Sequence, residues 1–461
     1  VRRDFLKQVM AGVGAILVPR VEAAPALGTL RAAAARVDVV GKPHPATDVW
    51  AYERSVPGPE LRARQGERLR IEFVNQLPEA STVHWHGVRV PNAMDGVPHL
   101  TQPPVARNGG RFVYEFALED GGTFWYHPHL GSPEQVGRGL YGALVVEEQR
   151  SLAVDRDVVW MLGDWRLDRE ARIVGDFRSF MDASHAGRIG NTVTVNGTVP
   201  EAFEVRAGER IRLRLVNAAN ARIFALDFRG HAPLVIALDG HPVEPHAPAG
   251  GRVVLGPGMR ADILLDAIGD SRATYTVVDD FYPRQAYRLL DLRYGDRREG
   301  GRAKEPVPGL PRNPVPEPDL SNAQRHLLRF EGGMMGGIPM DRMASASNPA
   351  ASIWTINGKR VLESEHGHEP ILKLAHRRSY VLELVNETAW HHPVHLHGHV
   401  FRVLSRDGKP APHREWADTV LISPRSRAEV AFVADNPGDW MLHCHVLEHQ
   451  TSGMMAVVRV G

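Results

Sequence analysis

Gly66-Glu67-Arg68-Leu69-Arg70-Ile71-Glu72-Phe73-Val74-Asn75 alternates charged and apolar side chains with period two and stops at an asparagine. That is the pattern of a half-buried strand running into a turn. The pattern returns as Gly208-Glu209-Arg210-Ile211-Arg212-Leu213-Arg214-Leu215-Val216-Asn217 and as Arg378-Ser379-Tyr380-Val381-Leu382-Glu383-Leu384-Val385-Asn386. Steps of 142 and 169 residues between the asparagines at 75, 217 and 386 are the length of a domain, so they predict repeated domains rather than a solenoid. Later landmarks recur in the same order. Arg111–Phe116 corresponds to Ala261–Leu265 and Ala428–Phe432, and Gly122–His127 corresponds to Ala273–Val278 and Gly438–His443. The reading is all-β, one β-sandwich built three times.

The rest of the chain agrees. It has 461 residues, 43% hydrophobic and 24% charged, which exceeds what a single core holds and predicts about three ordinary domains. Gly 44 and Pro 34 are spread along it without forming tracts, so many turns and short strands are expected and a helical bundle is not. Lys+Arg 55 against Asp+Glu 54, with no basic stripe, leaves no electrostatic footprint for nucleic acid. The single cysteine, Cys444, excludes an intrachain disulfide, a Cys-rich zinc module and a redox CxxC pair.

Boundaries follow from the repeat: residues 35–150, 151–295 and 326–461, with the Pro-, Arg- and Gly-rich stretch 296–325 as an interdomain linker. Arg2-Arg3-Asp4-Phe5-Leu6-Lys7, the apolar run Val9 to Val18 and Val21-Glu22-Ala23 resemble a twin-arginine export signal over residues 1–23. This implies a periplasmic or secreted protein. No segment approaches the ~20 apolar residues of a membrane span, so no membrane association is expected after cleavage.

The histidines carry the chemistry. With 23 of them, chance predicts roughly one His-x-His pair, and six occur. Four arrangements stand out: His84-Trp85-His86, His127-Pro128-His129, His392-Pro393-Val394-His395-Leu396-His397, and His443-Cys444-His445 followed by His449 and Met454. On a strand, residues i and i+2 share a face, so each pair delivers two imidazoles to one surface. One thiolate, two imidazoles and a weak thioether describe a blue-copper centre, and Cys444, His392, His449 and Met454 supply that set.

These four motifs resemble the copper signatures of the multicopper oxidases, the laccase-like family with three cupredoxin-like Greek-key domains. The resemblance covers the chain from about residue 35 to its end. It implies four copper ions. His392, Cys444, His449 and axial Met454 would hold type 1, and His84 and His395 would hold type 2. His86, His127 and His445 would hold one type 3 ion, and His129, His397 and His443 the other. It also implies single-electron oxidation of small reductants such as phenols at the type 1 centre, where Cys444 acts, with dioxygen reduced to water at the other three ions. Asp95, in Asn92-Ala93-Met94-Asp95-Gly96, matches the family acid that assists oxygen reduction. Gln450 stands where many bacterial relatives carry an acid, and an amide cannot relay a proton by titrating. Asp418, in Trp416-Ala417-Asp418-Thr419, resembles a family strand motif with a structural role. The middle repeat lacks a His-x-His over Ala218–Gly230 and is expected to be a spacer and interface.

An alternative to the phenol-type donor is Cu(I), with the protein a periplasmic cuprous oxidase for copper tolerance. The stretch from Glu331 to Met343 carries Met334, Met335, Met340 and Met343 among four glycines, and soft thioethers select Cu(I). His366 and His368 form a further pair, read as an exposed loop.

Overall fold

The computed structural model describes residues 27–297, 300–303, 305–307, 309–335, 353–363 and 369–461. The export-signal stretch 1–23, Met340, Met343, His366 and His368 lie outside the described residues. Among the described residues strand accounts for 47% and helix for 6%, so the all-β reading holds. Six sheets stack as three sandwiches, of four and four, six and five, and seven and five strands. Each sandwich encloses its own apolar core. The first is built around Phe73, Trp85 and Tyr114, the second around Leu213, Phe224 and Ile263, and the third around Leu328, Trp440 and Phe432.

The three quoted stretches are the strands Arg68–Asn75, Arg210–Asn217 and Ser379–Asn386. Each pairs parallel with the first strand of its sandwich: Leu27–Val37, Arg156–Trp165 and Gln324–Gly332 respectively. In the facing sheets a second parallel pair recurs: Leu61–Arg64 with Gly142–Glu147, Ala202–Arg206 with Tyr287–Gly295, and Leu372–Leu374 with Met455–Val460. A parallel pair cannot be a hairpin, so these recurring closures fix the crossover topology three times.

The terminal asparagine of each stretch is buried and spans the turn after it. The Asn75 Oδ1 accepts from Leu77 N while its Nδ2 donates to Glu79 O and Val105 O. Asn217 does the same with Ala219 N, Arg222 O and Leu255 O, and Asn386 with Thr388 N, Trp390 O and Ile422 O. One side chain therefore satisfies three or more buried backbone groups and ties two loops together, at the end of the sandwich where the histidines cluster.

Half-burial is wrong for the second copy. Every residue of Arg210–Asn217 is buried, including its arginines. Arg212 is bracketed by Glu148 (2.6 Å) and Asp262 (2.6 Å), and Arg214 by Asp157 (2.6 Å) and Asp262 (3.2 Å). The polar face of this strand is turned onto the first sandwich, and the carboxylates there make its burial tolerable. Between Gly295 and Gln324 no strand forms among the described residues, but the chain is pinned. The Asn313 side chain exchanges hydrogen bonds with Gly121 and donates to Gly240 O, joining the first two sandwiches.

Candidate metal centre

Two clusters lie at the ends of the first and third sandwiches. The strands His84–His86 and Gly122–His127 pair with His84 opposite His127, and His392–Leu396 and Gly438–Cys444 pair with His395 opposite His443. Cross-strand pairing thus brings the His-x-His motifs side by side. His84, His86, His127, His129, His395, His397, His443 and His445 are all buried together between the two domains. Four donor sets among the described residues of this cluster have their ligand atoms within 4.8 Å of one another: His84/His395/His397, His84/His86/His127, His129/His397/His443 and His86/His395/Asp418. The rings of His86, His127 and His445 stand 4.9–5.8 Å apart.

Tautomers are set by backbone carbonyls. Nδ1 of His84 donates to Asp95 O (2.8 Å), that of His127 to Pro128 O (3.0 Å) and that of His395 to Asp418 O (2.9 Å). The Nε2 atoms of these three residues are buried with no hydrogen-bond partner, as are Nδ1 of His86 and both ring nitrogens of His445. Buried lone pairs left without a proton donor are costly in protein alone and suit a cation. Burial and the neighbouring imidazoles hold His86, His127, His397 and His445 well below the usual histidine range, which keeps them neutral and able to ligate.

The second cluster is a triangle. His392 Nδ1 is 3.4 Å from Cys444 Sγ, Sγ is 3.7 Å from His449 Nδ1, and the two nitrogens are 3.3 Å apart. Both outer nitrogens are occupied. His392 Nε2 meets Thr388 Oγ1 at 2.7 Å, and His449 Nε2 donates to His185 O at 2.6 Å. Burial pushes the Cys444 thiol far above its ordinary value and drops His449 to about 3. A thiolate at this position needs a cation beside it, so the donor set fits copper. Met454 is fully buried in the same apolar cluster as Cys444, whereas Met455 packs with Val97 and Met441. The Met454 carbonyl accepts from Cys444 N and its N–H donates to His449 O.

Asp95 is fully buried and bridges the two domains, its carboxylate accepting from His397 Nδ1 at 3.0 Å. Asp418 does more than support a strand: its Oδ1 is 3.1 Å from His86 Nε2 and 3.3 Å from His395 Nδ1. Burial alone would raise Asp418. Arg260 and the two imidazoles instead hold it well below the usual carboxylate range. Gln450 is buried with Oε1 unpartnered.

The middle domain reaches further into the site than a spacer would. Arg260, fully buried, clamps Asp418 through Nη1 (2.8 Å) and Nη2 (2.5 Å) and donates to the carbonyls of Thr123, Gly258 and Asp239. Asp239, pushed up to about 7 by burial and the Asp418 charge, accepts from the backbone N–H of Thr419. At Gly258 (φ +85) a Cβ would sit 2.8 Å from the His445 ring and 3.1 Å from His86. The signal for these residues was Arg260 and Asp262 interrupting the apolar start of the strand Arg260–Asp266, but the partners of Arg260 are distant in sequence. Trp354 lies tilted against His449 (ring centroids 4.2 Å apart), and its indole N–H donates to Ala183 O, so the short helix Phe180–Ser184 is tied across the thiolate triangle. A cavity of about 600 Å³ opens beside that triangle, lined by Trp390 and His391, adjacent to His392, and by Val446.

Comparison with known proteins gives one answer. Family models described as multicopper oxidase match residues 34–151, 156–291 and 339–461. The crystal structure of a multicopper oxidase from Pseudomonas thermotolerans superposes with a TM-score of 0.84 at 36% identity, covering 95% of this chain and 100% of that one. Multicopper oxidase MmcO of Mycobacterium tuberculosis is 28% identical over 92% of this chain and 85% of its own length. A laccase of Cryphonectria parasitica is 26% identical, covering 88% and 77%.

Proposed function

The chain belongs to the multicopper oxidase family, and from that premise we propose how its residues divide the work. His392, Cys444, His449 and Met454 would hold the type 1 ion, and His84 and His395 the type 2 ion. His86, His127 and His445 would hold one type 3 ion, and His129, His397 and His443 the other. Copper bound at these positions supplies one-electron redox chemistry, by which four single electrons from small reductants reduce one dioxygen to two waters.

The observation that carries this reading is Cys444. Its sulfur is held between His392 and His449, while its sequence neighbours His443 and His445 sit in the other cluster, so the chain itself joins the two. The backbone N–H of Val446 donates to that sulfur at 3.4 Å and favours its anionic form. Asp95 holds and gives up a proton at its carboxylate beside His397, and the buried amide of Gln450 does not share that task. Residues 1–23 support export as a folded protein to the periplasm or beyond the cell.

The experiment is a pair of variants. Cys444→Ser abolishes the intense blue absorption and the dioxygen uptake, since a serine oxygen cannot make the copper–thiolate bond. His84→Ala leaves the protein blue while dioxygen uptake stops. A blue Cys444→Ser protein, or loss of colour in His84→Ala, overturns the partition.

For the donor, the reading favoured is an organic reductant such as a phenol in the cavity beside Trp390 and His391, in keeping with the relative named laccase. Cu(I) is the second reading, and one observation favours it. Met334 N donates to Ser184 O and the Trp390 indole N–H donates to Met334 O, so the start of the methionine stretch lies against the helix that crosses the thiolate triangle. Met181 and Met335 nearby are 61% and 77% exposed.

A further inference from the structure

The cavity beside His391 and His392 shares the lining residue Gln285 with a second cavity of about 620 Å³, so the two are neighbours at the edge of the middle domain. The wall of the first is apolar and aromatic, with Phe281, Tyr282 and Trp390. The charged residues lining the two are all arginines: Arg284 in the first, Arg222 and Arg288 in the second, with no aspartate or glutamate. Arg222 is neutralised by Asp164 at 3.1 Å and Arg288 by Asp291 at 2.9 Å. Arg284 is exposed and makes no ion pair among the described residues. At the inner end, His391 keeps Nδ1 buried without a hydrogen-bond partner, its ring set edge-on to Phe281 at 5.3 Å.

An aromatic-lined cavity with an unpaired cation at its mouth and a lone acceptor at its floor has two chemically distinct ends. We propose that this cavity selects aromatic reductants that carry a carboxylate, with the ring between Phe281 and Trp390, a phenolic O–H donating to His391 Nδ1, and the carboxylate at Arg284. The inference rests on the reading that donors give their electrons at this cavity, and it adds which donors. Each phenol loses one electron to the protein and its hydroxyl proton to solvent as the product leaves, giving a phenoxyl radical. Four such events supply the four electrons that one dioxygen takes up. The unpaired Arg284 disfavours a bare metal cation here, so it sets the organic donor apart from Cu(I).

The test uses the copper-loaded enzyme with ferulate and its methyl ester, which differ in the carboxylate charge. The ratio of kcat/KM for acid over ester is expected to exceed one, to fall about two- to fivefold in Arg284→Gln, as suits one solvent-exposed ion pair, and to fall further in Arg284→Glu. Arg284→Lys should keep the preference, and 0.5 M NaCl should erode it. Binding is read separately by calorimetry with 4-methoxycinnamate, whose ring lacks the oxidisable hydroxyl, against its methyl ester. The ratio of the two Kd values should move in parallel with the kinetic ratio. Acid-to-ester ratios unchanged in both Arg284→Gln and Arg284→Glu overturn the assignment. Failure of the blue enzyme to oxidise either ferulate or its ester overturns the donor reading beneath it.

Discussion

Replacing Arg260 by methionine is the sharpest perturbation available to this architecture, because methionine fills much the same volume and removes only the charge and its donors. In the native protein the guanidinium is fully buried, bidentate on Asp418 and within 3.4 Å of the Asp239 carboxylate. Removing one partner of such a pair strands the other charge in the interior, a loss of about 3–5 kcal/mol. For a unit of more than 150 residues that corresponds to a fall of about 10 °C in the midpoint of the first thermal transition. The loss should be smaller at pH 5 than at pH 8, because a buried carboxyl without its cation is raised and, once protonated, carries no charge. Adding Asp418→Asn to Arg260→Met should restore about 2 kcal/mol relative to the sum of the single changes, since the amide needs no counter-ion and the two residues are in contact. Urea unfolding followed by tryptophan fluorescence, at both pH values and with all four members of the cycle, measures this. Additive losses, or a loss independent of pH, would refute the claim that Arg260 acts by neutralising Asp418.

Further outcomes follow from other residues. Asp95→Asn should slow reoxidation of the reduced enzyme by dioxygen several-fold more than its reduction by donor, measured as separate half-reactions in stopped flow; equal slowing would leave Asp95 a bridging residue without a proton role. Changing Met334, Met335, Met340 and Met343 together to leucine keeps bulk and removes thioether ligation, so Cu(I) turnover should fall while phenol turnover is unchanged or higher; a parallel fall in both would indicate packing damage. Glu363, whose carboxylate accepts from Gly131 N, is pushed up to about 7 by burial. A carboxyl raised in the folded state contributes stability that is fully present below about pH 4.5 and is lost as pH rises through about 7, so the midpoint of denaturation should drop between pH 5 and 8 and Glu363→Gln should flatten that drop.

What could be read from the chain, and what could not, separates along physical lines. Arg68–Asn75 and its two copies were legible because period-two alternation and a terminal turn residue are local properties. The histidine motifs were legible for the same reason, since i and i+2 on one strand need no knowledge of the rest of the chain. The burial of Arg212 and Arg214 was not, because it depends on Glu148, Asp157 and Asp262 being folded against them. Asp418 looked like a strand residue until Arg260, 158 positions earlier, and His86, 332 positions earlier, arrived beside it. His185, whose carbonyl covers His449, carries no motif at all and its role exists only in three dimensions.

The bridge between His86 and Asp418, with Asp95 and His397 bridging 302 residues alongside it, turns the polypeptide into a nearly closed ring whose two ends meet at the histidines. On the ligand assignment proposed above, a metal held from both sides would act there as a removable clasp. The loop so closed in the folded state spans 332 residues. Filling the centre would therefore stabilise the fold by binding the folded chain and not the unfolded one, in a protein whose single cysteine cannot form a disulfide within the chain. A protease nick in the stretch between residues 296 and 322 would open the ring without releasing either half, because Arg260–Asp418, Asp95–His397 and Trp354–Ala183 still join them.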